Sequence, residues 1–164
     1  MKEAFGIETL EDPDDDATSA ENNSSVILCL QVDGKQLLFT GDAGVPALER
    51  ADQWAMLNGI TLADSCFHQV PHHGSRRNIG PSILDRILGI KRRYDSPDKT
   101  AFVSAAKGAP KHPSKQVTDA YRRRGANVAT TEGVAIWHKT HDVPQRPNYI
   151  AADILPLFPE VEED

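Results

Sequence analysis

Four residues have the types and the placement to do chemistry together: Asp42 in Thr40-Gly41-Asp42, His72 and His73 in Pro71-His72-His73-Gly74-Ser75, and His112 in Lys111-His112-Pro113-Ser114. A carboxylate with imidazoles is a donor set for Zn²⁺, Mn²⁺ or non-haem iron. No thiolate joins it, because Cys29 and Cys66 each sit inside an apolar run and read as reduced core residues. Taken singly, an Asp after Gly is an ordinary turn residue and a loop His an ordinary solvated one. Adjacent histidines before Gly-Ser are rarer: Gly74 permits close backbone approach, and in an extended segment the two rings point opposite ways. One ring then binds metal while the other faces substrate or an outer carboxylate. His68, His138 and His141 lack such a setting and read as surface or strand residues.

These residues can meet only if the elements before them are neighbouring strands. Ser25–Val32 and Lys35–Asp42, joined by Asp33-Gly34, predict a β-hairpin covered on both faces. Residues 45–58 carry apolar positions near helical spacing and stop at Gly59. A strand over 64–70, a helix opened by Pro81, a strand over 100–105 and a helix over 115–124 follow. In the last helix Val117, Ala120 and Tyr121 face inward, with Ser114 as its cap. Residues 127–131 and 133–138 predict a terminal hairpin, and the Pro-rich text beyond His141 a wrapping tail. Alternating strands and helices give an α/β layered body. Each candidate residue lies at or just beyond the C-terminal end of a predicted strand, so one rim can gather them.

The 164 residues have a formal charge of −6, and its distribution is uneven. Eight acids stand against Lys2 in residues 1–21 and four more occupy 160–164, so the part between, 22–159, is +5. The acidic stretch 11–24 reads as a loop or flexible lead-in. Basic clusters at Arg76-Arg77, Lys91-Arg92-Arg93 and Arg122-Arg123-Arg124 would attract a polyanion if they shared a face, and otherwise are solvated helix ends. No apolar stretch approaches the ~20 residues of a membrane span, and the acidic start lacks the features of a signal or transit peptide, so a cytoplasmic location is expected.

The blocks N-N-S-S-V-I-L (22–28), L-L-F-T-G-D-A-G (37–44), V-P-H-H-G-S (70–75) and K-H-P-S (111–114), in this order, resemble the C-terminal half of the metallo-β-lactamase-fold hydrolases, in particular the ComEC-like subgroup associated with DNA uptake. The resemblance implies an α/β fold, half of an αββα sandwich with a mixed sheet and helices packed on it. It divides the chain into an acidic lead-in (1–21), the half-domain (22–142) and a Pro-rich acidic tail (143–164). It implies that Asp42 bridges two divalent ions, Zn²⁺ or Mn²⁺, that His72 or His73 completes a metal site or contacts phosphate, and that His112 is a further ligand or phosphate-binding group. Ser75 and Arg76 would contact a phosphodiester, in nucleic acid among other possibilities. The family's H-x-H-x-D-H block is absent from all 164 residues, and Asn22 or Asn23 stands where many members carry another His. The implied activity is metal-dependent phosphodiester hydrolysis completed by an N-terminal half or partner subunit, with too few ligands for a tight dinuclear site in this chain alone. The alternative is a non-catalytic half-domain that docks on a partner, self-associates or binds nucleic acid, with runs 26–30 and 37–39 as its interface.

Overall fold

A computed structural model describes residues 7–14, 16–92, 97–109, 111–139, 143–144, 147–148 and 152–161. Its centre is a five-stranded mixed sheet in simple sequential order: β1 (Leu28–Val32), β2 (Lys35–Phe39), β3 (Phe67–Gln69), β4 (Lys99–Val103) and β5 (Ala126–Thr130). The first pair is antiparallel and the remaining neighbours are parallel. The hairpin closes through Asp33 and Gly34, whose φ values of 50° and 72° match a tight turn with the twist of its strands. Parallel neighbours need crossovers, and α2 (Val45–Leu57), α3 (Pro81–Ile87) and α4 (Lys115–Arg123) supply them. Pro46 and Pro81 lie in first turns, where a missing N–H costs nothing. A short α1 (Ala20–Asn23), which no apolar period announced, precedes the sheet.

All three long helices pack on one face, where Leu38, Ala101, Val103 and Val128 are fully buried against Leu48, Ile83, Leu84, Val117 and Tyr121. The opposite face is unequally covered. Over β3 and β4, Phe67 packs against Phe102 and the His138 ring, with centroids 5.2 and 5.0 Å apart. Over β1 no described residue supplies cover: Leu28, Leu30 and Val32 are 51, 41 and 47% exposed. The hairpin is therefore covered on one face, not both. An apolar run states that burial is favourable without stating which side supplies it. Residues 133–138 likewise form no strand; they run irregularly, with His138 against Phe67. Ser114 takes the N-cap position of α4 without a side-chain bond to that helix end.

Where it is described, the acidic lead-in is irregular up to Ser19 and then enters α1, and it is docked. Leu10 is in the core, the Asp12 carboxylate accepts the Ser82 N–H at 2.9 Å beside the start of α3, and Glu8 pairs with Arg124 and Lys91. Arg122, Arg123 and Arg124 are buried, Arg92 pairs with Asp98 and Lys91 with Glu8, so these charges serve the fold, while Arg93 lies outside the described residues. The tail wraps β5 where it is described: Leu155 donates its N–H to Val128 and Phe158 to the Asp119 carboxylate. His141 lies outside the described residues. Both cysteines are free and half-buried.

His68 on β3 is 1% exposed beneath the helices, and its Nε2–H donates to the Ser65 carbonyl at 3.1 Å. Burial, and then the nearby Lys99 charge, push its pKa down to about 3 from 6.5. The unfolded chain binds a proton that the folded chain refuses, so His68's contribution is complete above pH 6.5 and is lost as pH falls toward 3. Urea unfolding at pH 7 and pH 5 is expected to differ by ~2 kcal/mol on this account, at up to ~1.4 kcal/mol per pH unit. His68→Gln should flatten that slope; an unchanged slope would assign it to other groups.

Candidate functional site

The parallel order sends the C-terminal ends of β2, β3 and β4 to one edge of the sheet, and the three loops that leave them carry Asp42, His72–His73 and His112. The loops are tied together by their backbones. His72 N–H donates to Gly41 O, and Ser114 N–H donates to Gly74 O, both at 3.1 Å. Gln69, the last residue of β3, accepts the N–H groups of Thr40 and Gly41 on its side-chain oxygen at 3.2 and 3.1 Å. Asp42 is held by its own backbone: its N–H donates to Ser25 Oγ and its carbonyl accepts Asn78 Nδ2. Its carboxylate is therefore free to face outward and is half-exposed.

His72, His73 and Gly74 all adopt positive φ, at 42°, 57° and 77°, a left-handed turn in which non-glycine residues carry strain of ~1–3 kcal/mol each. The histidines do not splay to opposite sides as an extended segment would place them. Their ring centroids are 5.6 Å apart, side by side. The turn also differentiates them. His73 Nδ1 is 2.6 Å from the Ser104 carbonyl, an acceptor only, so Nδ1 carries a proton and, in the neutral ring, Nε2 holds the lone pair. His72 Nδ1 lies 3.7 Å from Asp42 Oδ1 and 3.3 Å from Asn22 Nδ2. A neutral ring accepts from the amide, whereas a protonated ring pairs with the carboxylate.

His112 is close enough to feel both rings. Burial first, then the charges of His72, His73 and Lys111, hold its pKa below the usual histidine value, so it is neutral near pH 7. Its Nδ1 is buried without a hydrogen-bond partner among the described residues. The other two candidates sit differently. Ser75 is buried and its Oγ accepts the Arg77 N–H, while Arg76 donates to Gln116 at the start of α4. Arg76 and Arg77 line a polar cleft of about 410 Å³ whose other wall is Glu11, Asp12 and Asp14. Sequence reading gave no role to Gln69, Ser25 or Asn78; the signal for Gln69 was a polar side chain ending an apolar strand.

One carboxylate, an orphaned imidazole nitrogen and a second imidazole with a free lone pair are donors of the right class for a borderline divalent ion. They are not a finished site: among the described residues no three His, Cys, Asp or Glu side chains gather closely enough to hold a metal ion. No family model and no solved structure matches the chain. It is similar to ComE operon protein 3 of Bacillus subtilis (strain 168), at 26% identity over 129 residues, which cover 78% of this chain and 14% of that protein.

Proposed function

We propose that this chain supplies the Asp–His rim of a metal-dependent phosphodiesterase site of the metallo-β-lactamase type, completed by ligands from another polypeptide segment. The observation that carries the reading is the 3.7 Å approach of Asp42 Oδ1 to His72 Nδ1 at the edge where three parallel strands end. Similarity to ComE operon protein 3 supports it, as do the four ordered sequence blocks. The chain spans 14% of that relative, so a longer protein has room for an H-x-H-x-D-H segment, the activity of the whole being part of the proposal. The half-open sheet face at Leu28, Leu30 and Val32 is a surface against which such a segment can pack.

The residues fit a divalent pair in part. Asp42 and the Nε2 lone pair of His73 would hold it, with His112 as a third donor on the same rim. Zn²⁺ or Mn²⁺ bound there supplies an activated water and neutralises phosphoryl charge. The chain's own residues do the positioning. Ser104 O fixes the His73 tautomer, Asn22 steadies the His72 ring, and Gln69 locks the strand exit that presents Asp42. His72 can take a proton at Nδ1 and hold it against Asp42, which suits it to receive or return one during hydrolysis.

Paramagnetic Mn²⁺ added to the isotope-labelled chain tests the reading even where binding is weak. Broadening is expected at residues 41–43, 72–74 and 112, with at least ~10-fold weaker binding in Asp42→Ala or His73→Ala, as for loss of groups that hold a metal. Broadening confined to the acidic residues 11–16, or unchanged in both variants, overturns the assignment.

A further inference from the structure

We propose that the outer edge of β1 is a dimer interface, pairing antiparallel with β1 of a second copy of this chain across a two-fold axis. The edge is open: β1 ends the sheet and pairs only with β2 among the described residues. Natural sheet edges are kept apart by Lys, Pro, bulges or inward charges. Here Ser24 to Val32 contains no charged residue, no proline and no glycine. The edge is uncharged on both sides and apolar along one of them, the other carrying Cys29 and Gln31. Leu28, Leu30 and Val32 line one face, and around the other runs a groove of about 420 Å³ lined by Ile27, Leu28, Cys29, Ala51, Trp54 and Ile60.

A strand that covers this edge must present an apolar row beside Leu28, Leu30 and Val32 and no charge beside Cys29 and Gln31, and a second β1 meets both conditions. Centred on Leu30, an antiparallel self-pairing sets Leu28, Leu30 and Val32 opposite Val32, Leu30 and Leu28, continuing one apolar row through two sheets. The charged ends of the hairpin, Asp33 and Lys35, then fall at opposite ends of the pair, beside the neutral Ser24-Ser25 side of the other copy, so no like charges meet. This contact uses the edge of the sheet and leaves its open face and the Asp42 rim accessible; it does not depend on the proposed activity.

Light scattering on the eluted 164-residue chain, over the micromolar range, is expected to give twice the 18.0 kDa chain mass. Leu30→Lys sets two ammonium groups opposite each other at the centre. It should weaken the dimer at least ~100-fold with unchanged circular dichroism, like charges directly across a strand pair being repulsive. Ile90→Lys, an exposed position away from β1, should leave the dimer intact. Where Leu30→Lys fails to fold, Leu28→Lys serves, and hydrogen exchange of the β1 amides of the unsubstituted chain should slow with rising concentration. A monomeric chain, a dimer that survives the lysine substitutions, open-ended assembly, or concentration-independent exchange at β1 overturns the interface.

Discussion

Arg124→Met is expected to cost ~3–5 kcal/mol of stability, the usual penalty for removing one partner of a buried ion pair. The guanidinium is fully buried, and its Nη atoms donate to both Glu8 oxygens at 2.5 and 3.3 Å, its Nε to Asp85 at 2.8 Å, and Nη1 to the Ala120 carbonyl. Glu8 is nearly as buried, with a side chain only 4% exposed. Methionine fills part of the volume but leaves that carboxylate with the half-exposed Lys91 as its remaining cation. In a chain of this size the loss should lower the melting temperature by about 10 °C or more.

Two further measurements separate charge from packing. In Glu8→Leu/Arg124→Met no buried charge is stranded, Asp85 and Lys91 being half-exposed, so most of the loss should return, because apolar replacement of a whole buried pair is often neutral. A double variant as unstable as Arg124→Met would mean that shape dominates. The pH profile gives the second. Burial pushes the Glu8 carboxyl up, but the bonds and charges of Arg124 and Lys91 hold it below its ordinary 4.5. The network's contribution is therefore present above pH 4.5 and is lost as pH falls through the lower folded value. Arg124→Met should lose most of that acid-side slope, since only the half-exposed Lys91 then favours the charged form of Glu8 while burial opposes it.

That network also marks where sequence reasoning stops. Glu8 and Arg124 are 116 residues apart, so the lead-in reads as solvated acid and the arginine cluster as a solvated helix end until the chain folds. What is decided locally was legible. Asp33-Gly34 makes its turn from its own φ preferences, Pro81 opens a helix, and Gly59 ends one with positive φ. The gathering of Asp42, His72, His73 and His112 on one edge was legible at the level of topology, because successive parallel strands put all their exits on one side. The orientation of each ring was not. It depends on a left-handed turn at His72–Gly74 and on carbonyls from other loops, Gly41 and Ser104, which local sequence does not reveal. The bare face of β1 was hidden for a similar reason: what covers an apolar strand is decided by the rest of the fold, and here residues 133–138 reach Phe67 and Phe102.

Gly74→Val tests whether the rim is one unit. Gly74 has φ +77°, and a Cβ there would lie 2.8 Å from the Pro113 Cβ and 3.3 Å from the Pro113 Cα. The position is therefore the point of contact between the loop that carries the histidine pair and the loop that carries His112, stitched by Ser114 N–H to Gly74 O. A β-branched residue must adopt a left-handed backbone and also push the loops apart, at a combined cost of about 2–5 kcal/mol. Separation pulls His73 away from Ser104, so the downfield proton signal expected of an Nδ1–H held in the 2.6 Å bond should be lost. Gly74→Ala, smaller but still left-handed, should fall between the two in both readouts. A Gly74→Val chain that unfolds at the same urea concentration as the parent and keeps its His73 proton would show that the two loops are held independently, and that the edge brings these residues near one another without coupling them.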